Sequence, residues 1–446
     1  MAQYPNKNQC PFIFQKFHTR HTGVKYGSIQ LMGSHAVTPI MAKTGITRAV
    51  FPDSFLVSLY RALAPYRGCG HGCRYCDGRA EKYYVEGDFE RDIALRTNLN
   101  AVIAADIAKG VTSREWGAIC IGSGVTDVYQ PLERNLEATR RSLAAMIPTG
   151  KDQAEVPIVI LTKSDLILRD FDLLSQFPQV LVIVTITTVN PDHAAKLEPG
   201  ASTPTQRLEV VRRAKEAGFA SGIMAMPLCP GISDTDESVS KLFDAAIAAG
   251  ADFVYPGGLT LRPGRQKECF TSLVDTYFPE HRKLYDRVYR QNRQSGMPVA
   301  EYAEPLMKKL NTQLSRRGVP QMIPHRVYRN LLSPPDALFV LLCHMQDLYA
   351  MRGIDIRPLK SATDRYAAWL KAERGTFRRK RIPIVSSDPF PITRALTEKL
   401  QDLCRIPDDD KKSKFAELCG NERLARLAAK IVIKNNEFDY ANLTIK

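Results

Sequence analysis

The stretch that decides the fold is 64–80, APYRGCGHGCRYCDGRA. It carries three cysteines at the spacing C-x3-C-x2-C, namely Cys69, Cys73 and Cys76, and Tyr75 stands directly before the last one. Thiolate is the usual protein ligand of iron–sulfur clusters. Three thiolates on one short loop can hold three corners of such a cluster, so this stretch predicts an iron–sulfur site.

A structural zinc ion is the alternative for these thiols. Structural zinc sites have four protein ligands, and the sequence holds no second C-x2-C pair and no H-x3-H pair. His71 lies between two of the cysteines, and we interpret it as a loop residue. Three ligands suit a cluster that leaves one iron open to a substrate or cofactor. The positive backbone dihedrals of a tight wrap are easiest for glycine, and the loop has Gly68, Gly70 and Gly72.

Outward from this loop, six short apolar runs alternate with helical patterns. The predicted strands are 55–60, 117–123, 156–163, 180–188, 222–228 and 252–261. They are apolar without strict alternation, as strands buried on both faces are. Repeated strand–helix units imply a parallel sheet with right-handed crossovers. The sequence therefore predicts an α/β fold.

Helices are predicted between these strands over 131–146, 205–217 and 234–249. In the second helix, Leu208 is part of the apolar stripe, whereas Arg207 is predicted to face solvent.

Polar residues recur at the ends of the predicted strands. Ser123, Thr126 and Asp127 follow the second strand, Lys163 ends the third, and Thr185 lies on the fourth. In parallel α/β barrels the active site gathers at the C-terminal ends of the strands. These residues, together with the cysteine loop after the first strand, predict a cofactor site at that end.

Taken together, these stretches resemble the radical S-adenosylmethionine (SAM) superfamily, and within it the spore photoproduct lyase-like branch, also called DNA repair photolyase-like. The resemblance covers roughly residues 40–265. Beyond the cysteine loop it rests on DFERDIALRTN (88–98), GSGVTDVYQPLE (122–133), LTKSDLILRD (161–170), TITTVNPDHAAKLEPGASTPTQRLEVV (185–211) and MPLCPGISD (226–234). It implies a partial (β/α)6 TIM-like barrel of the radical SAM type, with a basic, mainly helical C-terminal extension.

The resemblance also implies the chemistry. Cys69, Cys73 and Cys76 would hold a [4Fe–4S] cluster, and S-adenosyl-L-methionine would bind its fourth iron. Lys163 matches a lysine that pairs with the methionyl carboxylate. Residues near the cofactor are matched by Tyr75, Thr126 and Thr185. A reductant such as flavodoxin or ferredoxin would supply the electron that cleaves SAM to methionine and a 5′-deoxyadenosyl radical, which abstracts hydrogen from an unactivated carbon.

Two positions depart from the best-understood members of the branch. They carry a hydrogen-donating cysteine where this chain has Gly124, and a radical-relay tyrosine where it has Asp77. We therefore predict a radical SAM enzyme with an unassigned substrate, nucleic acid being the favoured class, in preference to an authentic spore photoproduct lyase. Two alternatives stay open: a metal-stapled, non-catalytic nucleic-acid-binding protein, and a radical SAM enzyme acting on a protein or small molecule.

Composition and charge restrict the class of protein and indicate how the chain is divided. The 446 residues are 44% hydrophobic and 24% charged, which excludes a wholly disordered chain. The sequence has no apolar run of membrane-spanning length and no evident export signal. We expect a cytoplasmic protein with no membrane partner. We divide it into an N-terminal basic extension (1–54), the barrel (55–265) and a helical basic C-terminal region (266–446), with net charges of +5, −2 and +12.

The C-terminal region is where a polyanion would bind. The segment 281–294 interleaves five cationic residues with Tyr285 and Tyr289, and further basic segments lie at 324–330 and 377–381. Arginine with aromatic residues binds phosphates and stacks on bases, so nucleic acid is a candidate partner of this region. Solvated helical faces are the alternative reading. The segment 336–350 is too apolar for solvent and is predicted to pack against the barrel.

Overall fold

The computed structural model describes residues 30–32, 35–83, 87–122, 124–379, 387–406 and 413–446. Most of the predicted extension 1–54 lies outside these residues, as do Ser123 and the end of the basic segment 377–381. No helix of the described part is long and apolar enough to cross a membrane.

The elements follow one another as strands alternating with helices, and then as helices alone for most of the C-terminal third. The strands are β1 Gln30–Met32, β2 His35–Ile40, β3 Ile46–Asp53, β4 Ser58–Ala62, β5 Tyr66–Arg67, β6 Asp92–Arg96, β7 Ile119–Ile121, β8 Ile158–Thr162, β9 Val180–Thr185, β10 Ala220–Leu228, β11 Val254–Gly258, β12 Phe438–Asp439 and β13 Thr444–Ile445. The helices are α1 Leu99–Ala108, α2 Glu133–Leu136, α3 Ala138–Ala144, α4 Phe171–Leu174, α5 Pro191–Leu197, α6 Pro204–Glu216, α7 Asp236–Ala248, α8 Arg265–Tyr277, α9 Arg282–Val288, α10 Ala300–Arg316, α11 His325–Tyr328, α12 Pro334–Met351, α13 Arg357–Arg379, α14 Pro391–Cys404, α15 Lys414–Cys419 and α16 Glu422–Val432.

A seven-stranded sheet with the order β11-β10-β9-β8-β7-β4-β3 forms the centre of the fold. Neighbours from β4 to β11 pair in parallel, and only β3 pairs antiparallel, at the edge next to β4. All six predicted strands are present, and β9 is buried along its whole length. The predicted α/β fold with an open, partial barrel of six parallel strands and a helical C-terminal region is confirmed.

A second sheet, with the order β1-β2-β6-β5, was not predicted from the sequence. Its strand β5 ends at Arg67, two residues before the first cysteine of the loop, and pairs antiparallel with β6. The backbone N–H of Cys69 then donates to the carbonyl of Phe89 at 3.0 Å. This small sheet therefore fixes where the cysteine loop begins.

The predicted helix over 131–146 is two helices, α2 and α3, which is a correction. Glu137 between them has a left-handed backbone with φ 48°. The buried carboxylate of Glu133 accepts hydrogen bonds from the backbone N–H groups of Thr139 at 2.9 Å and Arg140 at 3.2 Å. A side-chain acceptor thus satisfies the free N–H groups at the start of α3, and the chain can turn there.

The C-terminal helices cover both edges of the central sheet. Helix α10 packs against β11, and α12 packs against β3, where Phe339 stacks on Phe51 with ring centroids 4.7 Å apart. Residues of α10 and α12 belong to the same hydrophobic core as the strands. The apolar segment 336–350 therefore packs against the barrel, as predicted.

Buried charges join this helical layer to the barrel. Arg374 of α13 forms an ion pair with Asp336 of α12 and lies 3.5 Å from the carboxylate of Glu115, which precedes β7. Glu115 also pairs with Arg48 at 2.7 Å and with Arg378 at 3.0 Å. Arg378 was predicted as part of a basic patch, and its guanidinium is instead engaged by a carboxylate of the barrel.

We expect Arg374→Met to lower the free energy of unfolding by about 3–5 kcal/mol, because it leaves buried carboxylates without their cation. Denaturant titration followed by circular dichroism measures this change. Arg357→Met is the matched control, since Arg357 of the same helix pairs with Asp355 in solvent, and it should leave the midpoint unchanged. An equal shift in both variants would contradict the prediction.

Burial raises the pKa of Asp347, on α12, to about 6. The folded state therefore holds this proton more tightly than the unfolded chain, and its contribution to stability falls as pH rises from about 4 to about 6. Asp347→Asn removes that loss, so the variant should match the native protein at pH 4 and exceed it by about 3 kcal/mol at pH 8. Unfolding at both pH values tests this, with Asp364→Asn, at an exposed position of α13, as the control; a gain of equal size at pH 4 would refute it.

Candidate cofactor site

The three cysteines of the loop have free thiols, Cys69 and Cys73 being buried and Cys76 half-buried. The loop turns tightly, since the N–H of Gly72 donates to the carbonyl of Cys69 at 3.2 Å and the N–H of Cys76 to that of Cys73 at 3.3 Å. The thiols lie close enough that Cys73 and Cys76 both raise the pKa of Cys69, after the larger effect of burial.

The loop glycines behave only partly as predicted. Gly68 and Gly72 have positive φ, 83° and 62°, which favours glycine at these two positions. Gly70 is not among the positive-φ residues. Its N–H donates to the side-chain oxygen of the buried Gln130 at 2.7 Å, so its place in the loop depends on a hydrogen bond from the segment after β7.

The donor set fits an iron–sulfur cluster. Burial raises the pKa of the Cys73 thiol to about 12, although the nearby Lys163 ammonium lowers it. Thiols in such apolar surroundings ionise when a cation replaces their protons, and thiolate is the ligand that iron–sulfur clusters use. Within the described ranges, no three or more His, Cys, Asp and Glu side chains converge on one metal ion, whereas the thiolates of a [4Fe–4S] cluster each bind a different iron.

Lys163 and Tyr75, two of the predicted cofactor residues, meet beside this loop. The Lys163 ammonium lies 5.9 Å from the centre of the Tyr75 ring. Burial lowers the pKa of Lys163, but Cys73 in its thiolate form and the carboxylate of Glu198 outweigh burial, and the pKa lies above its ordinary value. A protonated lysine thus stands at the end of β8, next to the cysteines.

The other two predicted residues make protein contacts. The hydroxyl of Thr126 donates to the carbonyl of Gly68 at 2.7 Å, at the start of the cysteine loop. Thr185 is buried at the end of β9, and its carbonyl accepts a hydrogen bond from Arg207 at 2.8 Å. Their cofactor contacts stay predictions.

Asp127 connects three segments of the site. Its carboxylate accepts from the Thr162 hydroxyl at 2.8 Å and from the Lys163 N–H at 2.7 Å, and it lies 3.3 Å from the imidazole of His71. Burial raises its pKa, but the nearby His71 and the hydrogen bonds from the backbone N–H groups of Tyr129 and Lys163 outweigh burial and bring the pKa to about 2. His71, predicted as a loop residue, is in the loop but buried, and its other ring nitrogen lies 2.8 Å from the carbonyl of Gly200.

Sequence reasoning missed a buried ion pair beneath Tyr75. Arg207 was predicted to face solvent, yet it is 1% exposed and pairs with Glu198. The Tyr75 hydroxyl donates to the same carboxylate. Burial raises the pKa of Glu198, and the charge of Arg207 outweighs this, so the pKa is lowered. Helical spacing could have predicted the burial of Arg207. This residue lies four positions before Val211 and therefore on the same, buried face of α6.

The two positions that depart from the family pattern differ in their surroundings. A side chain at Gly124 would have no neighbour within 4 Å, so packing does not require glycine there. The carboxylate of Asp77 accepts hydrogen bonds from Gln266 at 2.8 Å and Thr260 at 3.1 Å. Asp77 therefore joins the end of the cysteine loop to the segment after β11.

The basic segment 281–294 does not present its aromatic rings to solvent. Tyr285 and Tyr289 are buried and stacked on each other, with ring centroids 6.1 Å apart. Arg282 pairs with Asp275 at 2.8 Å. Base stacking on these tyrosines, which the sequence suggested, is therefore wrong, because the same helical face that carries the rings is packed into the protein.

Three comparisons bear on the family. Residues 63–243 match the family model described as the Radical SAM superfamily. An uncharacterized protein of Mycobacterium bovis is 28% identical over 259 residues, which cover 56% of this chain and 73% of the relative. A Radical SAM Nalpha-GlyT isomerase of Pseudomonas phage M6 is 24% identical over 276 residues, covering 57% and 54%. A solved structure of spore photoproduct lyase complexed with dinucleoside spore photoproduct aligns with a TM-score of 0.45 at 16% identity, covering 63% of this chain and 79% of that one.

The matched segment 63–243 contains the cysteine loop and the strands from β5 to β10. The loop has three free thiols, and a protonated lysine stands beside them at the end of a parallel strand. Over this segment the chain matches the Radical SAM superfamily model, as the sequence predicted.

Proposed function

We propose that this protein is a hydrogen-abstracting radical SAM enzyme whose three loop cysteines, Cys69, Cys73 and Cys76, ligate a [4Fe–4S] cluster. The observation that carries the proposal is that the C-x3-C-x2-C loop lies in the segment matching the Radical SAM superfamily model, with the Lys163 ammonium 5.9 Å from the ring of Tyr75, which stands between Cys73 and Cys76. When bound and reduced by an external donor such as flavodoxin or ferredoxin, the cluster supplies the electron for reductive cleavage of SAM.

The residues of this chain would pair with the cofactor, exclude water and orient the cysteine loop. Lys163 would pair with the carboxylate of the methionine moiety, because a half-buried ammonium is stabilised by an anionic partner. The buried ring of Tyr75 excludes water from the side of the loop that faces Glu198. Thr126 holds the backbone of Gly68 and so orients the first cysteine. Since position 124 carries glycine, we propose a reaction that takes no hydrogen from a thiol at this position.

Anaerobic reconstitution tests the cluster. We expect about four irons and four sulfides per chain, with the charge-transfer absorbance of thiolate-bound iron. Replacing any one of the three loop cysteines by alanine should lower the iron content at least to half. Cys120→Ala is the matched control, since Cys120 is buried in β7 of the same barrel, and it should retain the full cluster. Stoichiometric zinc without cluster absorbance would contradict the proposal and favour the metal-stapled, non-catalytic protein.

We further propose nucleic acid as the substrate class, on charge alone. The region 266–446 carries a net charge of +12. Four of the five cations in the basic segment are exposed. Arg290 pairs with Glu301 at 3.0 Å, and the other three are Lys283, Arg287 and Arg293. Because the neighbouring tyrosines are buried, binding would depend on phosphate contacts, which makes it strongly dependent on salt.

Replacing Lys283, Arg287 and Arg293 together by glutamine tests this substrate class. If each cation contacts one phosphate, the slope of log K against log salt should become less negative by about 3. The measurement is fluorescence anisotropy of labelled DNA and RNA at several salt concentrations.

The matched control replaces three exposed cations on the outer helices of the barrel, Arg212, Arg213 and Lys241. This control should bind as the native protein does. If the native protein binds neither DNA nor RNA, nucleic acid is excluded as the substrate class, and a protein or small-molecule substrate is favoured.

A further inference from the structure

The connection between α5 and α6, residues 198–203, lies along the cysteine loop. The N–H of Gly200 donates to the carbonyl of His71 at 2.9 Å, and the N–H of Arg74 donates to the carbonyl of Leu197, at the end of α5, at 2.9 Å. A Cβ at Gly200 would stand 2.4 Å from the carbonyl oxygen of Gly70. The two backbones are therefore in direct contact, and only glycine fits at position 200.

Glu198, the first residue of this connection, is almost fully buried and has both carboxylate oxygens engaged. One oxygen accepts from the Tyr75 hydroxyl and from the Thr187 hydroxyl, the latter at 3.2 Å. The other accepts from the guanidinium of Arg207. Tyr75 stands between the second and third loop cysteines, so the carboxylate fixes the side chain that separates two of the proposed cluster ligands.

Arg207 is held in turn on two further sides. Its guanidinium donates to the carbonyl of Ser202 at 2.8 Å and to that of Thr185 at 2.8 Å. The N–H of Ser202 donates to the carbonyl of Lys163 at 3.3 Å. These bonds tie the connection to the ends of β8 and β9, so Glu198 cannot move without disturbing the sheet.

Stability alone does not explain why the buried ion pair between Glu198 and Arg207 is present. Burying two charges costs desolvation free energy that their attraction often only offsets, and apolar residues of similar size can be as stabilising. A fixed carboxylate, however, gives the Tyr75 hydroxyl one defined direction, which an apolar contact does not.

We propose that Glu198, held by Arg207, is a positioning residue that fixes Tyr75 and thereby keeps the cysteine loop in its ligand-presenting shape before any cluster is bound. The role of that shape in holding a cluster rests on the proposed function, whereas the fixing of the loop by Glu198 does not.

The first measurement uses the full chain without cluster. Hydrogen–deuterium exchange of the amides in 69–78 should quicken about tenfold in Tyr75→Phe and in Glu198→Gln, because each loses a buried hydrogen bond that closes the loop. Glu209→Gln is the matched control, since Glu209 pairs with Arg212 on the solvent side of the same α6, and it should exchange as the native protein does. Tyr75→Phe retains the Glu198–Arg207 pair, so it decides the matter if Glu198→Gln unfolds.

The second measurement uses the reconstituted protein. In Tyr75→Phe the electron paramagnetic resonance signal of the reduced cluster should differ from the native signal in its response to SAM, a change that a purely structural role would not produce. Amide exchange at the native rate in both Tyr75→Phe and Glu198→Gln would overturn the inference. Faster exchange in both variants together with a native protein that assembles no cluster would support the inference and refute the proposed function.

Discussion

The shape of the cysteine loop is imposed by hydrogen bonds from distant segments of the chain, and the rest of the site depends on this constraint. The loop is anchored at its start by the carbonyl of Phe89, and near its end by the amide of Gln266, which donates to the Tyr75 carbonyl at 2.8 Å. Between these points it is held by Gln130 after β7 and by the connection after α5. Each anchor comes from a different part of the chain, so the cysteines are arranged by tertiary structure and not by the loop sequence alone.

Charge at the site follows from the same arrangement. Buried acids such as Asp127 and Glu198 are ionised because each has a basic partner, and the Lys163 ammonium is retained among them. At the Cys73 thiol, the effect of burial outweighs that of the Lys163 ammonium, so its pKa is raised. The site therefore surrounds the thiols with fixed charges, and a bound metal, as proposed, would ionise them.

The parallel sheet and its six strands could be predicted from the sequence because each strand is a short apolar run set between helical patterns. The cysteine spacing likewise identified the loop that lies in the segment matching the Radical SAM superfamily model. Features that depend on partners far along the chain were not predictable. The break at Glu137 depends on the Glu133 carboxylate, and the burial of Arg207 depends on Glu198. Tyr285 and Tyr289 looked exposed because the pattern of 281–294 does not show which face of the helix packs.

The most direct test of the account is the formation of 5′-deoxyadenosine by the reconstituted, reduced protein. Incubation with SAM and a low-potential reductant under anaerobic conditions, followed by chromatography and mass spectrometry, measures it. The account predicts 5′-deoxyadenosine and methionine in equal amounts, and their loss when Lys163 is replaced by methionine. A fully reduced cluster that leaves SAM intact would contradict it.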